Sequence, residues 1–324
     1  MAPIDPGRVS AATVWSLQCQ MGREGADFAP CLSQPISRTY MNTSIGAIGA
    51  IMRFPVKSIL GEILDQCAIT ASGLEGDRAY ALIDAATGRI ASAKQPNLWR
   101  DLLRLSAKTD PDERPPRIVI SDQTGTPIDL QDADVNARLS ALLGREVRLI
   151  EVKPPGLELN RARPDEVLVK GFENDVTQDV LVIGGAAPEG GFFDFAPIHL
   201  MHAASLQAVQ AAAPGTAIEA WRYRPNLVIE NEQTEAFSEN RWIGRRLKIG
   251  SSVELEIIAP TPRCAVPLLA HGALPTCREA VSVVNRLNQV EFPLLGPGTF
   301  PCLGAYATVV SQGVVRQGDE VSIN

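Results

Sequence analysis

The 324-residue chain is long enough for two domains of ordinary size, and its 45% apolar content is that of a globular protein. Its 37 acidic and 30 basic residues give a formal charge of −7, which argues against a general nucleic-acid binder but leaves room for a local basic pocket. Six cysteines without a C-x-x-C pair, and only three histidines, argue against a zinc site of usual spacing and against a disulfide framework, and no apolar run approaches the roughly 18 residues of a membrane span.

Residues 1–43 have weak periodicity and several breakers. They read as an extension with a helix turn over Arg8–Gln20, without signal peptide or membrane anchor. Ile45–Phe54 reads as a strand with small residues at close-packing points, ended by Pro55. Gln66–Thr70, Ala79–Asp84 and Arg89–Ser92 follow as short strands, separated by glycine-containing turns at Ser72–Arg78 and Ala85–Gly88. This pattern predicts a compact antiparallel sheet or small barrel. After a break at Arg114–Pro116, Arg117–Ser121 is a strand and Gly125 with Pro127 makes a hairpin. Asp132–Leu143 has the pattern of a helix stopped by Gly144, and Arg148–Val152 is another strand. Pro154–Gly156 marks a boundary, giving an extension 1–43, a first domain 44–155 and a second domain 156–324.

In the second domain, Val180–Ile183, Ile198–Met201, Trp221–Ile229, Ile243–Gly250, Val253–Ile258 and Tyr306–Val310 read as strands. Ala204–Ala212 and Arg278–Asn288 read as helices. The fold class is mainly β with α+β elements, barrel-like rather than doubly wound. The alternation of Val253–Ile258 is expected to stop at Pro260 and Pro262, which lack the N–H that a central ladder needs. Arg263 and Cys264 are then expected on a loop at the mouth of the β structure, a usual address for chemistry.

Four stretches set a cation or donor on a turn beside a strand end. They are Pro55–Ser58, Gly76–Arg78, Tyr223–Asn226 and Arg263–Cys264. Arginine beside a cysteine favours the thiolate, which is both nucleophile and metal ligand; a buried, inert thiol is the plainer reading of Cys264. Lys57 and Ser58 suit a phosphate, by charge and by hydrogen bond, or else sit in a solvated turn. Arg78 most simply pairs with Asp77 at the surface. Pro225 keeps Arg224 extended, and the Asn226 amide can read a heterocycle edge or serve as an ordinary turn residue. His199 and His202, three apart at a strand end, fall on opposite faces and do not make a shared metal site. His271 is a candidate proton donor near Cys264, or a surface loop histidine.

Together these stretches resemble MOSC-domain proteins that carry the family's N-terminal β-barrel domain, the group of the mitochondrial amidoxime-reducing component and its bacterial relatives. The resemblance is carried by Phe54–Ser58, Gly73–Arg78, Ala93–Lys94, Asp194–Pro197 with Ser205–Leu206, Arg224–Asn226, Arg263–Cys264, and Gly304–Tyr306 with Gly318–Asp319. It implies a small N-terminal β-barrel-like domain followed by a MOSC β-barrel, with a molybdenum cofactor (molybdopterin) between them. Cys264 would be the metal's thiolate ligand, and Lys57, Ser58, Arg78, Arg224, Asn226 and Arg263 the cofactor cradle. Related sequences carry hydroxyl residues where this chain has Met201–Ala203 and Ala196, so one wall of the cradle is altered.

The implied activity is reduction of small N-hydroxylated substrates, with Cys264 and His271 at the reacting centre. Electrons would come from a separate donor protein, since no ferredoxin-like cysteine cluster follows. Two other readings stay open: a carrier of cofactor or sulfur using Cys264, and a cofactor-free enzyme in which Cys264 acts as nucleophile or base, with His202 or His271 beside it. No nucleic-acid or membrane partner is expected, and the sparse cysteines point to a reducing, cytoplasmic setting.

Overall fold

The computed structural model describes residues 43–110, 117–122 and 124–324. Apart from Thr43, the expected extension lies outside the described residues, as do Cys19, Cys31 and the break at Arg114–Pro116. Seven strands form a closed ring: β1 (Thr43–Arg53), β2 (Ile198–His202), β3 (Leu227–Glu230), β4 (Arg246–Ile249), β5 (Val253–Pro262), β6 (Thr299–Ser311) and β7 (Glu320–Ile323). Around the ring the order is β2–β3–β1–β7–β4–β5–β6, and β6 pairs back onto β2. Every neighbouring pair is antiparallel except β2 with β3.

Period-two patterning builds this barrel. On β5, Val253, Leu255 and Ile257 are buried while Glu254 and Glu256 face outward. Their inward side chains join Ile48, Ile51, Leu200 and Leu227 in one core. Each large apolar side chain buried this way contributes about 1.5–3 kcal/mol. The small residues of β1 sit at its irregularities: the register shifts between Ser44 and Gly46, and again across Gly49. A Cβ on Gly46, whose φ is 135°, would overlap the Glu230 carbonyl on β3.

Contrary to the sequence expectation, β5 does not stop before its prolines. It runs on through Pro260, opposite Ala305, and Pro262, opposite Cys302. The ladder shifts register between those two residues, and β4 pairs with β5 only as far as Glu256. The prolines therefore occupy an irregular edge, where a missing N–H breaks nothing. Arg263 and Cys264 follow directly, at the end of the strand.

A second core gathers Val56, Leu82, Trp99, Ile120 and Val147 with Leu139 of helix α1 (Val135–Leu143). It lies among the paired strands Ala81–Asp84 and Val147–Ile150 and the three-stranded sheet 106–110, 117–121, 127–129. The two sequence halves are interwoven: β1 belongs to the ring, and Gln66–Thr70 pairs with Gly313–Arg316. A third cluster joins Ala93 and Leu103 to Ala162, Cys264, Leu268 and Val281. Cys264 is thus anchored in packing contributed by both halves.

Candidate functional site

Lys57 follows β1 on a tight turn and is buried, unlike a solvated turn lysine. Its Nζ donates to the Phe192 carbonyl at 2.7 Å and to Asp194 Oδ1 at 2.8 Å. Lys94 reaches the other oxygen of Asp194 at 3.0 Å. Burial pushes the Lys57 ammonium down to about 8, with Asp194 working against that fall. The protein packed around Asp194 opposes its charge, but the two lysines overcome this and hold its carboxyl well below the usual range.

Arg78 does pair with Asp77, but the pair is not at the surface. Asp77 is buried, accepts the Phe54 N–H at 2.7 Å and accepts from Asn226 Nδ2 at 2.9 Å. Arg78 also donates to the Arg224 carbonyl at 3.1 Å. Both guanidinium groups lie against the Phe54 ring, at 4.7 and 4.3 Å from its centroid. Burial, with the Arg78 charge next, pushes Arg224 down to about 9, so Arg224 remains cationic at neutral pH and an anion beside it would relieve the repulsion. The Asn226 amide is fully occupied: it donates to Asp77 and the Met52 carbonyl, and its oxygen accepts the His199 N–H at 3.1 Å. Asn226 therefore braces the site from within.

The segment expected as one strand over Trp221–Ile229 is instead a helical turn, Ala220–Tyr223, before β3. Arg224 between them is left-handed, φ 57°, and not extended as the following Pro225 led the sequence to suggest. Ser58 (φ 64°) and Arg78 (φ 49°) are left-handed as well. Strained backbone at three cation- or hydroxyl-bearing positions of one cavity marks a site whose geometry is held by its surroundings. Ser58 Oγ meanwhile lies 3.3 Å from Ser92 Oγ and accepts the Ala93 N–H at 3.2 Å.

On the barrel side, Arg263 donates to the Leu303 and Tyr223 carbonyls at 3.2 and 2.9 Å, and its Nη1 lies 3.4 Å from His199 Nε2. Burial, then the Arg263 charge, pushes the His199 imidazole well below its ordinary range, so the ring is neutral. Gly304 of β6, φ 84°, makes room here: a Cβ would come within 2.7 Å of His199 Nε2.

Lys57, Ser58, Arg78, Arg224, Asn226, Arg263 and Cys264 all line one cavity of about 710 Å³, part of it open to solvent. Sequence reasoning gave no site role to several other members of this lining, among them Lys94, Asp194, His199, Thr261 and Tyr306. Tyr306 lay within a resembling motif; Thr261 was hidden between two prolines. His271 is not in this lining. It is buried, its Nδ1 lies 2.9 Å from the Leu269 carbonyl, and burial pushes its imidazole down to about 3. A neutral, enclosed ring is not the proton donor expected from the sequence. His202 also lies elsewhere, capping helix α2 (Ala203–Ala211) and packing on Trp242.

A second, wider cleft of about 1,950 Å³, including open solvent, adjoins the first. The two share Lys94, Asp194, Cys264 and Tyr306. Cys264 thus stands where a cation-lined cavity meets an apolar cleft. Among the described residues no cluster of three His, Cys, Asp or Glu side chains could hold a metal. A metal at Cys264 would need other ligands brought by a cofactor.

No helix among the described residues is long and apolar enough to cross a membrane. No curated protein matches the chain in sequence. Among solved structures, YiiM from Geobacillus stearothermophilus matches at 13% identity and a TM-score of 0.28, over 40% of this chain and 54% of that one. The chain therefore spans about half the length of that protein. The YUAD protein from Bacillus subtilis matches at 11% identity and a TM-score of 0.37, over 87% of this chain and 98% of that one. Family models are more telling than either. The MOSC N-terminal beta barrel domain matches residues 45–145, and the MOSC domain matches residues 188–322. With both models matched in order over most of its length, the chain belongs to the MOSC-domain family and carries that family's N-terminal β-barrel domain.

Proposed function

We propose that the protein binds a molybdenum cofactor in the cation-lined cavity and reduces N-hydroxylated compounds, such as amidoximes or hydroxylamines, with electrons from a separate donor protein. The observation that carries this reading is the place of Cys264 between two cavities of different chemistry. One suits an anionic cofactor; the other suits an organic substrate. The association of MOSC domains with this cofactor supports the assignment. So do two buried atoms of the first cavity's lining residues, Thr261 Oγ1 and Arg263 Nε, which lack hydrogen-bond partners in the protein. Buried polar atoms are rarely left so, and a polar ligand would satisfy them.

When bound, the cofactor supplies the metal and the two-electron redox chemistry. Lys57, Arg78 and Arg224 would hold its anionic end, and Cys264 would offer the metal a soft thiolate. Burial, with the Asp194 charge next, raises the Tyr306 phenol and keeps it protonated, so its O–H can donate to the oxygen of a substrate N–O bond. The sum is R–NH–OH, two electrons and two protons giving R–NH2 and water. The cofactor-free reading is less well served, because neither His202 nor His271 lines a cavity with Cys264.

The test is molybdenum and pterin content of protein from a host that makes the cofactor, for wild type and Cys264→Ser, followed by reduction of benzamidoxime with a chemical electron donor. Near-stoichiometric molybdenum in the wild type, its loss in the variant, and benzamidine as product are expected. Wild-type protein without molybdenum and pterin would overturn the reading.

A further inference from the structure

Residues 146–187 fall between the two family matches, yet they build one wall of the wider cleft. Glu158–Ala162 and Gln178–Val182 pair as an antiparallel hairpin, with Leu159 opposite Leu181. Leu159, Leu181 and Val182 line the cleft from this side; Phe292, Leu294 and Leu295 line it from the other. Leu181, on the same face of the hairpin as Leu159, is half-buried and Leu294 is 55% exposed, so apolar side chains meet water on both sides of the cleft. Unpartnered apolar side chains around a concavity mark a place where an apolar ligand enters.

The cleft also contains two cations of different standing. Lys94 is ion-paired with Asp194, a carboxylate it shares with Lys57. Arg161 lies on the hairpin, two residues beyond Leu159 and on the same side of the strand. Its cross-strand neighbour Asp179 is taken by Arg163 at 3.0 Å. Among the described residues the Arg161 guanidinium has no hydrogen-bond or ion-pair partner. Asp194, already held by two lysines, is the one carboxylate among the lining residues.

We infer that this cleft selects small molecules with an apolar body and a single anionic group, the body lying between the hairpin and the 292–295 segment and the anion bound by Arg161. The inference rests on the reading above, in which Cys264 marks the reacting end of the same cleft. The hairpin thereby sets specificity from a segment outside both domain matches.

The test is equilibrium binding of an isosteric pair, 4-phenylbutyrate and 4-phenylbutyramide, to the purified full chain by calorimetry. The acid should bind about tenfold tighter than the amide, as a charge-assisted contact requires. Arg161→Gln should bring that ratio to about one while leaving the amide unchanged. Leu294→Asp alters an exposed position and should weaken the acid at least severalfold by putting a carboxylate in the cleft. Equal binding of acid and amide to the wild type, a ratio that survives Arg161→Gln, or acid binding indifferent to Leu294→Asp would overturn the inference. Failure here is distinct from failure of the proposed function. Protein that prefers the acid but holds no molybdenum keeps the cleft and loses the reductase reading. Loaded protein that reduces benzamidoxime and its 4-carboxy analogue with one KM, in wild type and Arg161→Gln alike, keeps the reductase reading and loses the cleft.

Discussion

The Lys57 ammonium and the Asp194 carboxylate meet at 2.8 Å, with the lysine 6% exposed and the aspartate 36% exposed. The pair joins the turn after β1 to the segment just before β2, so it ties the two matched domains across the cavity. Asp194→Asn would leave both Lys57 and Lys94 without their counter-ion. Because Asp194 is partly solvated, the loss should be smaller than for a fully enclosed pair, about 1–2 kcal/mol in urea unfolding. The same variant makes the cavity more positive, so phosphate should bind it more tightly than it binds the wild type. Weaker phosphate binding would show that Asp194 orders the cations instead of competing with the ligand.

Buried imidazoles make stability acid-sensitive. The His271 pKa falls from 6.5 to about 3 on folding, so between those values the unfolded chain binds more protons than the folded one. Stability therefore rises with pH across that window and is lost as pH drops from 6.5 toward 3, by on the order of 3–4 kcal/mol for this group alone. His271→Asn can keep the contact to the Leu269 carbonyl without a titrating ring. Its urea midpoint should change less than the wild type's between pH 6.5 and 4.5. Parallel curves would assign the acid sensitivity to His199 or His202, whose imidazoles burial also pushes down.

Arg222 is fully buried and holds the chain after Cys264 through the carbonyls of Pro267, Leu269 and Pro275, at 3.3, 3.1 and 2.7 Å. Lysine carries the charge but not the planar fork. Arg222→Lys should cost about 2–4 kcal/mol in thermal or urea unfolding. Amide exchange should quicken over residues 267–275 first, before the barrel strands respond.

Gly304 is the contact point between β6 and β2. Alanine there would strain a φ of 84° and press on the Leu200 carbonyl and His199 Nε2. Gly304→Ala should destabilise by about 1–3 kcal/mol and disturb the cavity through His199 and Arg263. A variant as stable as the wild type, with unchanged phosphate binding, would show that β6 can shift freely at this position.

What the sequence disclosed was local. Lys57, Arg78, Arg224 and Arg263 could be picked out because a cation on a turn beside a strand end is visible in a few residues, and all four line one cavity. Their backbone was not legible, since serine and arginine give no sign that they will be left-handed at 58, 78 and 224. The prolines of β5 misled for a related reason: whether a missing N–H matters depends on which strand lies alongside, and that is fixed by pairing with Ala305 and Cys302 some forty residues away. His199 and Thr261 joined the site only through closure of the ring. The heterocycle-reading role expected of Asn226 gave way to Asp77, 149 positions earlier in the chain, which takes its amide N–H.

Thr43 of β1 lies opposite Ile323 of β7, so the first described strand needs the last as its neighbour. During synthesis β1 emerges with only Glu62–Leu64 as a nearby strand partner, and it waits for β3 and then for β7. Contacts so distant along the chain form late and slowly. Arg263, Cys264 and the ring that aims them consequently have no fixed geometry on a nascent chain still lacking β7. A ligand that needs the closed ring can therefore be held only once β7 has been made.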